Sequence, residues 1–322
     1  LVTGASGFVG GHLVEALLAD GQDVRCLLRQ SSDTRWLEGF TVDRVTGSLE
    51  DTETLAAAAS GVDTVYHLAA VTKAPDSETY YRVNAEGTAR LAELCGRRAT
   101  PPRFVYVSST AAVGPGRPGE GVCEEDQCNP VTDYGRSKLE GERELIKRAN
   151  ALPFVIVRPP AVYGPRDTDM FMFFQLVNRG IKPVLTGPER ILSVVFVKDL
   201  VRGIILAAKF AKDGETFHIA HDEPVTWETF ADAVADVLGK HPVKVSIPPA
   251  VLWGAAALNE AGHRLLGKAT IFNRQKVREM RQTSWVCDTS KSVERLGYRP
   301  AFSLKESVGI TAEWYREHGW LK

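Results

Sequence analysis

The sequence predicts an α/β protein: a doubly wound parallel sheet carrying a smaller mixed α/β lobe. Three observations predict it. Short β-branched runs alternate with amphipathic helical patterns through the first half, a string of glycines separates the first run from the first helix, and the rhythm changes after Gly164.

Residues 1–3, 24–28, 42–46, 62–68, 104–108 and 154–158 read as strands, several of them apolar enough to be buried on both faces. Between them, residues 10–20, 53–59, 78–95 and 134–149 place apolar side chains at helical spacing, as with Val9, Leu13 and Leu17 or Val14 and Leu18. Such alternation requires right-handed crossovers and a parallel sheet, with ligands at the carboxyl ends of its strands. Beyond Gly164 the pattern predicts helices at 169–179, from Asp199, and at 227–238, 250–266 and 304–318. Strands are expected at 194–197, 217–220 and 285–287. The expected division is a sheet domain of residues 1–163 plus 191–222 and a substrate lobe of 164–190 plus 223–322, with the cleft between them open to a small molecule.

The 322 residues balance 39 Lys and Arg against 40 Asp and Glu, so there is no electrostatic footprint for a polyanion and nucleic acid is not an expected partner. The longest nearly uncharged apolar stretch, residues 247–258, is broken by Pro248, Pro249 and Gly254. It falls short of the roughly 20 residues needed to cross a bilayer, so no integral membrane segment is expected. Leu1 opens the chain inside a strand without an initiator Met or basic leader, which is compatible with a trimmed leader. The cysteines (Cys26, Cys95, Cys123, Cys128 and Cys287) are odd in number and scattered, which suits a reducing, cytoplasmic compartment. Cys123 and Cys128 are near enough in sequence to raise a disulfide or metal pair. With no His nearby and with Glu124, Glu125 and Asp126 between them, they read instead as a solvated loop, and no metal is expected.

Thr3-Gly4-Ala5-Ser6-Gly7-Phe8-Val9-Gly10 joins the first strand to the first helix. Glycines admit close backbone approach, and free N–H groups with the helix dipole face an anion. Gly4, Ser6, Gly7, Phe8, Val9 and Gly10 are therefore candidate contacts for a dinucleotide's phosphates; the plainer alternative is a turn with helix-packing glycines. At the end of the second strand, Arg29 with Gln30, Ser31 and Ser32 offers a cation and hydroxyls to a 2′-phosphate, whereas an acid would bind a 2′-hydroxyl. NADP is accordingly favoured over NAD.

Tyr134 and Lys138 stand four residues apart at the start of a helix, so phenol and ammonium share one face. A free phenol titrates near pH 10, and an adjacent cation would draw it towards working pH, making Tyr134 a general acid/base. The strand before it runs into Ser108, Ser109 and Thr110, hydroxyls placed at a carboxyl end where a substrate oxygen would lie.

These strings occur in a familiar order: T-G-x-x-G-x-x-G, S-S-T, Tyr134/Lys138, then Arg158-Pro159-Pro160-Ala161-Val162-Tyr163-Gly164-Pro165. The sequence resembles the extended short-chain dehydrogenases, the NAD(P)-dependent epimerase/dehydratase family with its Rossmann fold. Asn84 matches the family's helix asparagine, and the likeness runs through residues 285–288 and Leu296-Gly297-Tyr298. The resemblance implies Thr110 as the catalytic hydroxyl by its position relative to Val113, with Ser109 as the fallback. It implies hydride transfer at the nicotinamide C4, Tyr134 exchanging the alcohol proton, and Lys138 holding the nicotinamide ribose. Further implied cofactor contacts are Leu68, Ala69, Ala70, Ser108, Pro160, Ala161 and Val162. His67 is expected to pack. Ser48 and Leu49 fall in the adenine segment, although an Asp usually stands at the position of Ser48. A homodimer through the helices from Glu78 and Tyr134 is also implied.

Nucleotide-sugar members usually carry an Asn at the position of Ala161, and the Arg158-Pro159-Pro160 variant is more similar to the 3β-hydroxysteroid dehydrogenase and dihydroflavonol reductase branches. The expected activity is therefore interconversion of alcohol and ketone on a mainly apolar steroid-, flavonoid- or lipid-like substrate. Met170, Phe171, Met172, Phe173, Phe174, Val251, Leu252, Trp253 and Leu258 are candidates for an apolar pocket wall, or else ordinary lobe core. The alternatives are a nucleotide-sugar epimerase/dehydratase, with Arg166, Lys182, Arg190 and Arg274 free for a diphosphate, and a non-catalytic dinucleotide sensor. Thr110, Tyr134 and Lys138 occurring together argue against the sensor.

Overall fold

Alternation in the sequence becomes alternation in space. The computed structural model describes residues 1–117, 119–265 and 273–322. Its first half runs β1 (Val2–Thr3), α1 (Phe8–Ala19), β2 (Arg25–Leu28), β3 (Asp43–Thr46), α2 (Thr52–Ala59) and β4 (Thr64–His67). Then come α3 (Ser77–Tyr81), α4 (Gly87–Gly96), β5 (Arg103–Val107), α5 (Thr110–Val113), α6 (Asp133–Ile146) and β6 (Phe154–Arg158). The second half contains β7 (Ala161–Tyr163), α7 (Phe171–Asn178), β8 (Ile181–Leu185), β9 (Ile191–Leu192), β10 (Val194–Phe196), α8 (Val197–Phe210) and β11 (Thr216–His218). It ends with β12 (Val225–Thr226), α9 (Trp227–Leu238), β13 (Val243–Ile247), α10 (Pro249–Leu265), α11 (Arg274–Met280), β14 (Ser284–Trp285), α12 (Ser290–Leu296) and α13 (Leu304–Glu317).

Seven strands form one parallel sheet in the order β3-β2-β1-β4-β5-β6-β11. Winding proceeds outward from β1 in one direction and from β4 in the other, so a crevice opens beyond the carboxyl ends of these two neighbours. Successive strand residues feed opposite faces. Phe104 and Tyr106 pack with Leu55, Leu91 and Leu145, while Val105 packs with Leu13, Leu17 and Ile204. A separate apolar core gathers Tyr163, Phe174, Leu192, Phe230 and Tyr315 beside the crevice. Small sheets (β7 with β10, β9 between β12 and β14, β8 with β13) brace it.

Differences from expectation are local. The end of the glycine string, Phe8-Val9-Gly10, forms the first turn of α1, which starts at Phe8 rather than residue 10. The expected helix 78–95 is one helical run interrupted by a π turn at Arg82–Glu86, a form common at functional sites. The strand expected at 194–197 stops at Phe196, and α8 starts at once, two residues before Asp199. The helix expected at 250–266 is Pro249–Leu265, and residue 266 lies outside the described residues. β8 escaped notice because Pro183 interrupts its pattern, and β9 and β12 because two residues make no period. Cys123 and Cys128 are free thiols. Among the described residues no helix is long and apolar enough to cross a membrane.

Three buried histidines make the fold acid-sensitive. Burial lowers His12 to about 4, His67 to about 3 and His218 to about 4, each from an ordinary 6.5. Their stability contribution is intact above pH 6.5 and is lost as pH falls towards the folded values, because only the unfolded chain takes up the proton. Each histidine should contribute about 1.4 kcal/mol per pH unit to the slope of the urea-unfolding free energy below pH 6.5 and nothing between pH 7 and 8. His67→Gln should shallow that slope by one residue's share, and an unchanged slope would refute the assignment.

Candidate active site

At the crevice the glycine string is held by β1 and β4. Thr3 lies in register with Leu27 on one side and His67 on the other, so Gly4 emerges against Leu68 and Ala69. Gly4 has φ +73°, and a Cβ there would lie 2.7 Å from the Ala69 nitrogen. A Cβ on Gly10 would lie 2.0 Å from the Gly4 carbonyl oxygen, so the loop closes onto α1 only as glycine. Gly7 caps α1 without a side-chain bond, and the first turn carries no acid. Its leading N–H groups, without intrahelical acceptors, form a cradle for an anion. Ser6, Phe8 and Val9 are half-buried along it. These features fit a dinucleotide's diphosphate.

The expected ribose and adenine readers surround this cradle. Arg29 is exposed at the end of β2, and among the described residues its guanidinium forms no ion pair. Its backbone N–H donates to Ser32 Oγ at 3.0 Å, which shapes the turn. Ser48 Oγ accepts from the Glu50 N–H, and buried Leu49 offers its carbonyl to Arg90. Leu68 and Ala69 are tied to Thr3, through its carbonyl and its hydroxyl respectively, and Ala70 follows them half-buried. His67 is enclosed between the Thr3 and Thr88 hydroxyls and stacks on Tyr106, so it is a packing group.

The other end of the site is built by α6 against the chain leaving β5. Thr132 caps α6 by accepting from the Gly135 N–H, and a Cβ on Gly135 would come within 2.2 Å of the Ala111 carbonyl. Asn84, in the π turn, accepts from Val71 N–H and donates to Ser137 Oγ at 3.0 Å. Ser137 Oγ donates in turn to the Tyr134 carbonyl at 2.8 Å. Tyr134 is thereby fixed with its ring edge-on to Tyr80. Ser109 caps α5, and its hydroxyl acts on the phenol so as to favour the ionised form. Thr110 is buried and its N–H donates to the Pro159 carbonyl, beside buried Pro160. Ala161 and Val162 lead into β7, paired with Val194 and Val195.

The electrostatics correct the expectation that Lys138 draws the phenol's pKa down. Burial pushes Tyr134 up to about 12, opposed by the Ser109 hydroxyl, while the Glu279 carboxylate adds to the rise. Lys138 is 1% exposed. Its Nζ donates to the Val107 carbonyl at 2.8 Å and lies 4.2 Å from the Tyr106 ring centroid. Burial draws it down to about 7, with Glu142 opposing. Desolvation dominates both groups, so each is shifted towards its neutral form.

Other candidates are placed elsewhere. Phe174 is fully buried in the second core, and Met170, Phe171 and Phe173 pack against it, so these residues are lobe core. Met172, Val251, Trp253 and Leu258 are exposed, and Leu252 is half-buried. Each of the four cations named for a diphosphate has a protein partner, while Arg166 Nε and Nη1 and Arg190 Nε remain without a hydrogen bond among the described residues. Arg166 pairs with Glu15, Lys182 with Asp232, and Arg274 with Glu260; Arg190 donates to the carbonyls of Leu185, Thr186 and Pro188. Two residues with a place in the site escaped the sequence reading. Glu142 takes a hydrogen bond from Ser108, and its signal was its spacing of four residues from Lys138; the field of Glu279 acts on Tyr134 from a helix the sequence did not announce.

Comparison with known proteins agrees with this geometry. The model of the NAD dependent epimerase/dehydratase family matches residues 1–220. The chain is 32% identical to a ceramide reductase of Caulobacter vibrioides, covering 99% of this chain and 95% of the relative. It is 29% identical to a 3 beta-hydroxysteroid dehydrogenase/Delta 5-->4-isomerase of Mycobacterium tuberculosis, covering 98% and 90%. The structure of a UDP-glucose 4-epimerase from Thermotoga maritima superposes with a TM-score of 0.82 over 98% of both chains at 24% identity, a likeness of fold.

The cradle is open to a direct test. Gly10→Ala should weaken dinucleotide binding at least about tenfold, the tight approach to Gly4 being unable to accommodate a methyl. Gly309→Ala, where a Cβ meets nothing within 4 Å inside α13, should leave binding intact and add about 0.5–1 kcal/mol of stability. Isothermal titration and urea unfolding read both, and equal affinities would remove the cradle from the binding site.

Proposed function

The chain belongs to the NAD dependent epimerase/dehydratase family, and from that premise we propose an NADP(H)-using oxidoreductase that interconverts an alcohol and a ketone on a mainly apolar, lipid-like substrate. The observation that carries the substrate class is that Arg166, Lys182 and Arg274 are each ion-paired within the protein and Arg190 is turned onto backbone carbonyls. A sugar nucleotide would have to break these contacts to find its counter-charge, and Ala161 withholds the amide that its family counterparts supply. A reductase and a steroid dehydrogenase among the similar proteins support the same class. Arg29, exposed beside the ribose end, supports NADP over NAD.

In this reading the cradle of Gly4, Gly7 and Gly10 holds the diphosphate and Lys138 holds the nicotinamide ribose. The nicotinamide, when bound, supplies or takes up the hydride. Tyr134 gives its phenolic proton to the product alkoxide or takes one from the substrate alcohol, and Ser109 and Thr110 orient that oxygen. Ser109 is the hydroxyl that acts on the phenol, and in this reading it shares the role first expected of Thr110. The sheet domain carries the dinucleotide and the core around Phe230 carries the substrate lobe. Five free thiols suit a reducing compartment. The face of α3, α4 and α6 that presents Tyr81, Ala85, Arg90 and Glu140 around an open hollow of about 480 Å³ suits a homodimer.

Tyr134→Phe should lower kcat by about 10²–10⁴-fold while dinucleotide affinity stays within about twofold; unchanged turnover would remove Tyr134 from the chemistry. Thermal shift of the NADP-loaded protein should respond to steroids or ceramide-like amides and not to UDP or dTDP, and stabilisation by the nucleotides alone would overturn the substrate class. Arg29→Asp should lower the NADP/NAD affinity ratio by at least about tenfold, and an unaltered ratio would show that Arg29 is not the reader.

A further inference from the structure

A buried ion pair stands behind the proton-transfer groups. Glu142 and Arg158 are 1% and 5% exposed. Arg158 donates from Nε to Glu142 Oε1 at 2.9 Å and from Nη2 to Oε2 at 2.6 Å, a bidentate pair, and Ser108 Oγ donates to the same Oε1 at 2.5 Å. The remaining Arg158 contacts are the Glu124 carbonyl at 3.3 Å and Cys128 Sγ at 3.7 Å. A buried pair of this kind is commonly no more stabilising than apolar side chains of equal volume. Its placement therefore calls for a role other than stability.

That placement is specific. Val107, Ser108 and Ser109 are consecutive at the carboxyl end of β5; the first two are bonded to different residues of α6 and the third acts on another. The Val107 carbonyl accepts from Lys138, the Ser108 hydroxyl donates to Glu142, and the Ser109 hydroxyl acts on Tyr134. Glu142 lies one turn beyond Lys138 on the same helix face, and Arg158 ends β6, the neighbour of β5 in the sheet. We propose that the Glu142–Arg158 pair is the positioning device of the proton-transfer site: it locks the end of β5 to α6 and supplies the carboxylate that keeps Lys138 charged in a dry interior.

The groups facing Lys138 bear this out element by element. β5 contributes the Tyr106 ring and the Val107 carbonyl, β4 the neutral His67, β6 the Arg158 cation held on Glu142, and α6 Tyr134 and Glu142. Burial takes Lys138 down to about 7, and the Glu142 carboxylate is the Coulombic influence that raises it. Without that carboxylate the ammonium titrates lower still. Because the cation is the form that holds ribose and assists the phenol, activity is then lost from the alkaline side, and at a lower pH than in the parent.

This inference rests on the oxidoreductase reading for its kinetic readout but not for its spectroscopic one. Lysine ε-¹³C NMR of the full chain, with the Lys138 resonance assigned by Lys138→Met, follows the ammonium directly whether or not a substrate is known. Glu142→Gln should lower the Lys138 midpoint by at least about one pH unit, which is a tenfold loss of the charged form on the alkaline limb. Glu142→Asp, which keeps the charge, should leave the midpoint near that of the parent even where turnover falls through displaced geometry. Should Glu142→Gln fail to fold around an unpaired Arg158, the double variant Glu142→Leu/Arg158→Met removes both charges, and the midpoint should again fall, by less than in Glu142→Gln, because loss of the Arg158 cation offsets part of the loss of the carboxylate. In kinetics the alkaline limb of kcat should move down by the same interval, with rates approaching those of the parent only about a pH unit or more below the shifted midpoint. A Lys138 midpoint unmoved in Glu142→Gln or in the double variant, with kcat scaled equally at every pH, would reduce the pair to structural support. If the midpoint moves and no alcohol or ketone is turned over by the parent, the positioning role stands and the oxidoreductase reading falls.

Discussion

The chemistry depends on one close approach, that of the first turn of α6 to the chain leaving β5. Gly135 makes it. With a Cβ within 2.2 Å of the Ala111 carbonyl, any other residue would hold α6 away. At this separation Lys138 bonds to Val107 and Glu142 to Ser108, two bonds one helix turn apart against an extended strand end, and Ser109 comes to act on Tyr134. The capping hydroxyl of Thr132 and the Asn84–Ser137 link set the angle of entry, and the π turn presents Asn84 to that link. A strand and a helix far apart in sequence thus form a single rigid wall of the crevice.

The parts of this arrangement that were legible in the sequence are those encoded by local periodicity. The strands β2 to β6 and the four helices expected in the first half carry enough apolar residues to declare a period, β1 is marked by the glycine string that follows it, and their order implies the winding that puts the glycine string and Tyr134 at the same crevice. Two-residue strands such as β9 and β12 declare no period, and Pro183 disguises β8. The π turn is invisible because it alters the hydrogen-bond partner of each residue and not the residue types.

Electrostatics were harder to foresee for a different reason. The spacing of Tyr134 and Lys138 correctly puts both on one face, yet spacing says nothing of where an ammonium finds its acceptor. Lys138 finds the Val107 carbonyl, and desolvation then outweighs the attraction between phenol and cation. Likewise, counting Arg166, Lys182, Arg190 and Arg274 as available charges treats cations as free until their partners are seen. Glu15, Asp232, Glu260 and a cluster of carbonyls lie too far away in the chain, or on elements too short, for the sequence to announce them.

A site that buries a phenol and an ammonium together faces an energetic conflict. Proton exchange needs the two groups to carry charge at some stage, and a low-dielectric interior opposes charge on either. Surface acids near Lys138 would relieve the penalty but would bring water with them. A carboxylate in the interior relieves it without water, provided that the carboxylate is itself compensated. Arg158 provides that compensation through two parallel hydrogen bonds, and Ser108 adds a third. The charge network therefore ends in a cation that does not titrate in the working range, which leaves Lys138 as the member free to respond. On this argument the depth of the Glu142–Arg158 pair is itself the functional property: at the surface, solvent would screen the field that Lys138 requires.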